Sequence, residues 1–159
     1  MSDRLALAVG KVVLAWGRLD QQLHVLIRAS ERRLGLPHTT EGRFTERRKI
    51  FRRLCMKVAH SDEAYERKLD RELANLVKLE KKRGRIAHGF ASPTADGAYF
   101  FDAPEAFKTL GQPEPELMML ENLLSFDQLD ALEEEIDECA QRLTRLMLLA
   151  PQPSASETH

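Results

Sequence analysis

The sequence predicts an all-α protein: an up-and-down bundle of four helices with a short hairpin or irregular insertion between the third and the last long helix. Apolar residues recur at steps of three and four along four separate segments. Gly, Pro and capping residues separate these segments, and a stretch rich in aromatic residues follows the third. At 159 residues, of which 43% are hydrophobic, the chain can bury one core. We therefore predict a single domain over residues 1–150 and a disordered tail over residues 151–159.

The first two predicted helices differ in charge. An apolar stripe from Leu5 to about Leu34 predicts the first helix, and Gly35 and Pro37 are typical of a helix end. The second helix spans residues 44–58, and its polar side is basic, made of Arg47, Lys49, Arg52, Arg53 and Lys57. This side could contact a phosphate backbone. Since it lacks interleaved exposed aromatic residues that would stack bases, a solvated face is the simpler interpretation.

The third helix is predicted to begin after a group of capping and acidic residues. Ser61, Asp62 and Glu63 favour a helix start, and a third apolar stripe continues from there to Val77. Gly89 marks its expected end.

The segment after the third helix has a different pattern. Pro93, the pair Asp96 and Gly97, and three successive aromatic residues predict a short hairpin or an irregular lobe over residues 90–101. Three prolines exclude a long helix from residues 102–116. Residues 116–124 fit either a strand or a helical turn.

The last helix begins at a capping box. Ser125 and Gln128 have the three-residue spacing of that motif. Apolar residues then keep helical spacing from Leu129 to Ala150, which predicts one long helix.

Composition excludes several classes of protein. Charged residues make up 31% of the chain, which is typical of neither disordered nor membrane-embedded proteins. Charges interrupt the apolar N-terminal stretch, so we predict neither a signal peptide nor a membrane span. The two cysteines, Cys55 and Cys139, lie far apart inside helical patterns, which favours buried thiols in a reducing cytoplasm over a disulfide. No His has a partner at metal-ligand spacing, so we expect no metal and no cofactor.

Charge is distributed unevenly, although the net charge is only −1. From residue 43 to 85 there are 15 Lys or Arg and 7 Asp or Glu, whereas residues 114–138 contain 10 acids and no base. This pattern permits a local anion site. Solvated helix faces that attract each other within the fold, or across a dimer, explain it equally simply.

Charged residues interrupt two of the apolar stripes. At about 100° per residue, Asp20 falls near the middle of the first stripe, and Glu80 and Arg83 fall on the inward side of the third helix. A buried carboxylate needs a cation or several hydrogen-bond donors. Arg83 is a candidate partner for Asp20, because its fork of donors suits a carboxylate and also a phosphate.

His88 follows Arg83 by five residues, at the point where Gly89 frees the backbone to turn. An imidazole can both accept and donate a proton near neutral pH. The neighbouring cations Lys82, Arg83 and Arg85 would hold an anion beside it. This segment is therefore the candidate site.

The segment RGRIAHG at residues 83–89 resembles the signature of HEPN domains, an Arg followed four to six residues later by a His near a helix end. The segment WGRLDQQL in the first helix and the four-helix plan extend the resemblance over most of residues 5–150. It implies a metal-independent endoribonuclease, a toxin or defence protein, in which a homodimer brings two Arg and His pairs into one cleft. RNA is the implied substrate, and an antitoxin or a nucleotidyltransferase is an implied partner.

The resemblance also implies a role for each residue. His88 would deprotonate the ribose 2′-hydroxyl or protonate the leaving oxygen, and Arg83 would hold the scissile phosphate. Asp20 would orient Arg83, with Glu80 in support, while Lys82 and Arg85 would bind the substrate phosphates.

Two alternatives remain open. Asp20, Glu80 and Arg83 could form only a buried ion network that fixes helix register, with His88 as a polar cap. The chain could also be a non-catalytic HEPN-like module that binds a partner protein, such as a minimal nucleotidyltransferase, or a nucleotide. Gly84 favours this module, because most of the family has Asn or another polar residue there.

Overall fold

The structure, a computed structural model, describes residues 3–39, 42–88, 90–101 and 123–151. These residues form four α-helices and three β-strands, so the chain is mostly helical, as predicted. The helices are α1 (Asp3–Arg33), α2 (Phe44–Val58), α3 (Glu63–His88) and α4 (Phe126–Leu148). The strands are β1 (Phe90–Pro93), β2 (Gly97–Phe101) and β3 (Leu123–Ser125). Among the helices described, none has the length and apolar character needed to cross a membrane.

α1 ends at the glycine that the sequence indicated. Gly35 has a φ of 64°, a left-handed conformation that glycine adopts without the steric cost of a Cβ. Its N–H donates to the Arg32 carbonyl at 3.1 Å, and the Leu36 N–H donates to the Glu31 carbonyl at 2.9 Å. These two bonds satisfy carbonyls that the helix itself leaves without partners.

The turn between α2 and α3 has the same hydrogen-bond pattern without a glycine. His60 and Ser61 have φ values of 49° and 61°, and the Ser61 N–H donates to the Met56 carbonyl at 3.2 Å. Residues other than glycine rarely adopt a positive φ, so the turn holds both residues in a strained backbone geometry. α3 then begins with its expected cap, because Asp62 Oδ1 accepts the N–H of Tyr65 at 2.7 Å.

The predicted hairpin is present, and a third strand extends it. β1 and β2 pair antiparallel from Phe90 opposite Phe101 to Pro93 opposite Ala98. β3 pairs antiparallel with β2 and follows it in the sheet order β1-β2-β3. The segment that fits either a strand or a helical turn therefore ends as a strand.

Gly97 is required by the close approach of β3. A Cβ at this position would overlap the Leu124 carbonyl oxygen and would lie 2.8 Å from Ser125 Cα. The two strands can pair here only because residue 97 has no side chain.

The capping box at the start of α4 is formed in both directions. The Gln128 N–H donates to Ser125 Oγ at 3.1 Å, and the Ser125 N–H donates to Gln128 Oε1 at 2.8 Å. This confirms the predicted start of the last helix.

The contacts of the chain group into two compact units, and α1, α3 and α4 each contribute residues to both. The first, which we call the sheet unit, comprises residues 1–17 and 77–137. Its buried apolar side chains are Leu5, Ala8, Val12, Ala15, Trp16, Leu79, Ile86, Ala98, Phe100, Phe126, Leu129, Leu132 and Ile136.

The second, which we call the α2 unit, comprises residues 18–76 and 138–159. Both cysteines are free and buried in it, as the sequence predicted. Burial raises the pKa of the Cys55 thiol to about 11. The larger buried apolar side chains of this unit are Leu19, Leu23, Leu26, Ile27, Phe51, Leu54, Val58, Tyr65, Leu69, Leu73, Leu76, Leu143 and Met147.

Three predictions fall outside the described residues. They are the exclusion of a long helix from residues 102–116, the conformation of residues 116–122, and the disordered tail beyond residue 151.

Candidate active site

Arg83 and His88 meet at the end of α3, in the sheet unit. Arg83 Nη1 lies 3.3 Å from His88 Nε2, and the contact is exposed to solvent. Residues five apart on a helix do not share a face, so a short side chain at position 83 would not reach the ring. The contact depends on the length of the arginine and on His88 being the last residue of the helix.

The contact defines the protonation state in which the two side chains can be hydrogen-bonded. A guanidinium has only donors, so Nε2 must accept and the imidazole must be neutral, with its proton on Nδ1. A neutral imidazole is the form that can remove a proton from a substrate hydroxyl. Once protonated, the ring would no longer accept from Arg83, and an anion between the two cations would be favoured in place of the direct contact.

Trp16 of α1 contacts the same guanidinium. Arg83 Cζ lies 5.5 Å from the centre of the indole ring, within the range of a cation–π interaction. Trp16 is only 4% exposed, so its ring is fixed in the core of the sheet unit. It therefore limits the positions that the Arg83 side chain can take, while Arg83 itself is half-buried.

Arg83 also keeps one donor without a partner. Its Nε is buried and, among the described residues, has no hydrogen-bond acceptor. An unsatisfied charged donor raises the free energy of this side-chain conformation. An incoming anion that draws the guanidinium toward solvent would remove that cost.

The other cations near Arg83 and His88 are exposed to solvent. Lys82 is exposed and its Nζ lies 3.7 Å from the Glu135 carboxylate of α4. Such an exposed ion pair is weak, so Lys82 can exchange Glu135 for a phosphate. Arg85 is exposed as well. Gly84 is part of α3, and a Cβ built there meets no described atom within 4 Å, so the helix surface has room for a side chain at that position.

Asp20 has a different partner from the one expected. Its Oδ2 accepts from Arg47 Nη2 of α2 at 2.9 Å, within the α2 unit. Arg47 had been counted on the solvated basic side of α2, but its side chain is only 19% exposed. The sequence had named Arg83 as a candidate partner and missed Arg47, because helical periodicity does not say which neighbouring helix meets a residue.

The Asp20–Arg47 pair is incompletely satisfied. Asp20 Oδ1 and Arg47 Nε are both buried without a hydrogen-bond partner among the described residues. The predicted orienting role of Asp20, like that of the half-buried Glu80, stays a prediction.

Two features of the structure were not predicted from sequence. Trp16 was assigned to the core, which is correct, but its contact with Arg83 was missed. The buried Glu31 of the α2 unit, described below, was not singled out at all. Its position two residues before the end of α1 resembles that of many exposed helical acids, so the sequence carried no signal for it.

Within the described residues, no group of three or more His, Cys, Asp or Glu side chains is placed to hold a metal ion. No protein-family model, curated protein or solved structure matches this chain.

Proposed function

We propose that the chain is a HEPN-like, metal-independent endoribonuclease with Arg83 and His88 as its catalytic residues. The observation that supports this most is the direct contact of the two side chains at an exposed helix end. Four helices in order, with a hairpin between the third and the last, also support a HEPN-type bundle.

The proposed reaction is attack of a ribose 2′-hydroxyl on the adjacent phosphate. Neutral His88 accepts the hydroxyl proton, the 2′-oxygen forms a bond to phosphorus, and the bond to the 5′-oxygen breaks. Arg83 donates to the phosphate oxygens and stabilises their developing charge. A protonated imidazole, either of this chain or of a second copy, then gives its proton to the leaving 5′-oxygen. The products are a 2′,3′-cyclic phosphate and a 5′-hydroxyl.

A homodimer and a toxin or defence role follow from the same proposal. Two copies would supply one imidazole as base and one as acid, and cleavage of cellular RNA would arrest growth. Sedimentation of the purified chain tests the dimer. Induced expression of wild type and His88→Ala tests growth arrest, which the substitution should abolish.

A second candidate is a non-catalytic HEPN-like module that binds a partner protein or a nucleotide. Gly84 favours it, because this position supplies no side-chain donor to a phosphate. Since a side chain fits there, the substitution Gly84→Asn separates the two proposals. A measurable gain in cleavage over the wild type indicates that Gly84 limits a working nuclease.

The decisive experiment is incubation of the purified chain with transfer RNA and single-stranded RNA in EDTA. We expect cleavage that leaves a 2′,3′-cyclic phosphate and that is lost in Arg83→Ala and in His88→Ala. His60→Asn and Arg71→Ala are matched controls, because they remove the same residue types at exposed positions of the α2 unit. Folded, dimeric protein that cuts none of the RNAs would contradict the nuclease and favour the binding module.

A further inference from the structure

The outer side of α2 carries a row of cations that the proposed active site does not use. Lys49, Arg53 and Lys57 are spaced four residues apart, so they project from the same side at intervals of about 6 Å. All three are exposed. We call this row the α2 ridge.

The cations of α2 fall into two groups. Arg47 is paired with Asp20, and Arg52 donates to Asp70 at 2.7 Å and to Glu66 at 2.7 Å. By contrast, Arg53 and Lys57 have no carboxylate within ion-pair distance among the described residues.

Lys49, at the other end of the ridge, is intermediate between these groups. Its Nζ lies 3.1 Å from Glu46, but both side chains are largely exposed, and such a pair is easily broken.

Two concavities flank the ridge. One has a volume of about 440 Å³ and the other about 370 Å³, and both are lined by Arg53 and Lys57. The first also has Thr39 and His38 in its wall, and the second has Ser61. Arg53 and Lys57 therefore stand between two hollows that contain further polar groups.

Of the described residues that line these concavities, only one is acidic, and it is withdrawn from solvent. Glu31 lines the larger concavity, but its side chain is only 1% exposed. Its carboxylate accepts the Thr39 N–H at 2.8 Å and the Thr39 hydroxyl, and it lies 3.4 Å from Arg28. The charge that the concavities present to solvent is thus positive.

The α2 unit as a whole also has a positive net charge. The described residues of the α2 unit include 16 Lys or Arg and 9 Asp or Glu, whereas those of the sheet unit include 7 and 9. The near-neutral chain therefore contains one strongly basic unit, which attracts polyanions over a distance comparable to the Debye length.

We propose that the α2 ridge binds the phosphate backbone of single-stranded RNA. The choice of RNA rather than an acidic protein rests on the proposed function. It also agrees with the distance between successive cations of the ridge, which is similar to the distance between successive phosphates on a strand. Among the described residues, no Phe, Tyr or Trp lines either concavity, and the imidazole of His38 is held 3.4 Å from the Glu31 carboxylate through Nδ1. The contact is thus mainly to the phosphates, and we expect binding to depend little on base sequence.

The test is binding of fluorescent 2′-O-methyl oligouridine, measured by anisotropy over a range of salt concentrations. This strand has no 2′-hydroxyl proton and cannot be cut by the proposed reaction, so binding is measured independently of catalysis. Each phosphate contact to a single strand contributes about 0.7 to the slope of log Kd against log salt. Arg53→Gln combined with Lys57→Gln should therefore lower the slope by about 1.4 and weaken binding about 25-fold at about 0.1 M salt.

The matched control is Lys68→Gln combined with Arg71→Gln. It removes the same charge from exposed positions of α3 in the same unit, and it should weaken binding by less than about threefold because neither residue lines a concavity beside the ridge. 2′-O-methyl oligoadenosine should bind as tightly as oligouridine.

Three results would overturn the proposal. They are the absence of binding by the wild type, equal losses in the two double variants, and tighter binding of polyglutamate that the ridge substitutions abolish. The last would identify an acidic protein segment as the ligand. If the protein binds RNA through the ridge but cuts no RNA, the binding proposal stands and only the proposed nuclease activity is contradicted.

Discussion

Replacing Glu31 with Gln should destabilise the protein, because this carboxylate holds the segment that follows α1. Glu31 lies near the end of α1 and is almost completely buried. One of its oxygens accepts from the amide and hydroxyl of Thr39, and the other lies 3.4 Å from both Arg28 Nη1 and His38 Nδ1. The carboxylate therefore fixes residues 38 and 39, which form part of the wall of the larger basic concavity.

The size of the effect follows from what glutamine can replace. Its carbonyl oxygen can still accept from Thr39, but those bonds lose their charge assistance, which costs about 1 kcal/mol. Its NH₂ group then faces Arg28 and His38, so the pairing with the guanidinium is lost at a cost of about 1 kcal/mol more. The free energy of unfolding should fall by about 2 kcal/mol at neutral pH.

The effect should also depend on pH. Burial raises the pKa of Glu31, but the hydrogen bonds from Thr39 and His38 and the charge of Arg28 lower it by more, so the net pKa lies below the ordinary value. A carboxyl whose pKa is lower in the folded state stabilises the fold above its unfolded pKa. That stabilisation is lost as the pH falls through the folded pKa. The wild type and Glu31→Gln should therefore converge as the pH falls below the ordinary pKa of a glutamate.

Urea unfolding followed by far-ultraviolet circular dichroism measures both effects. Glu63→Gln is the matched control, because Glu63 is 88% exposed and its ion pair with Arg67 is 3.9 Å long. The control should change the free energy of unfolding by less than about 0.5 kcal/mol. A Glu31→Gln variant as stable as the control, or a difference unchanged at low pH, would refute the reasoning.

Four further substitutions or treatments test other parts of the structure. Gly84→Ala should stabilise the protein by about 0.5–1 kcal/mol, because helix α3 has room for the methyl group. Gly97→Ala should destabilise it by about 1–3 kcal/mol, because the Cβ would overlap the Leu124 carbonyl oxygen. Thermal unfolding of both variants measures the two effects, and equal effects would contradict the pairing of β2 with β3. His60→Gly should stabilise the protein by about 1 kcal/mol by relieving the left-handed conformation, and a loss of stability in urea unfolding would show that the His60 side chain makes a favourable contact. Native Cys55 should not react with a thiol reagent at mildly alkaline pH, since its pKa is about 11 and it is buried; rapid labelling without urea would contradict its burial.

The helices were predictable because their signals are local. α1 ends through bonds from the Gly35 and Leu36 amides to carbonyls three and five positions earlier, and Ser125 and Gln128 cap α4 through bonds to each other. Amphipathic spacing likewise reflects neighbours on one helix. The bounds of α2 agree with the predicted ones at both ends. Such features can be inferred from a short window of sequence.

The third strand was less predictable for the opposite reason. Leu123 and Leu124 are as compatible with a helix as with a strand, and their pairing with β2 connects residues more than twenty positions apart. What the sequence did contain was Gly97, but the reason for a glycine there is visible only once β3 lies against it.

The candidate site was located from sequence, but its organisation was not. The spacing of Arg83 and His88 along one helix end was enough to place them together, since both positions belong to the same element. The partner of Asp20 could not be derived in that way. Arg47 and Arg83 were both cations on amphipathic helices, and only the packing of α2 brought Arg47 to the carboxylate.

The sequence by itself determined the mostly helical character, the helix ends and the position of the Arg83 and His88 pair, because each depends on residues close together in the chain. The tertiary structure decided the contact of Trp16 with Arg83, the burial of Glu31 and the pairing of Arg47 and Arg52 with carboxylates. These depend on which helices meet and on how far each side chain reaches, and neither is recorded in the periodicity of one segment.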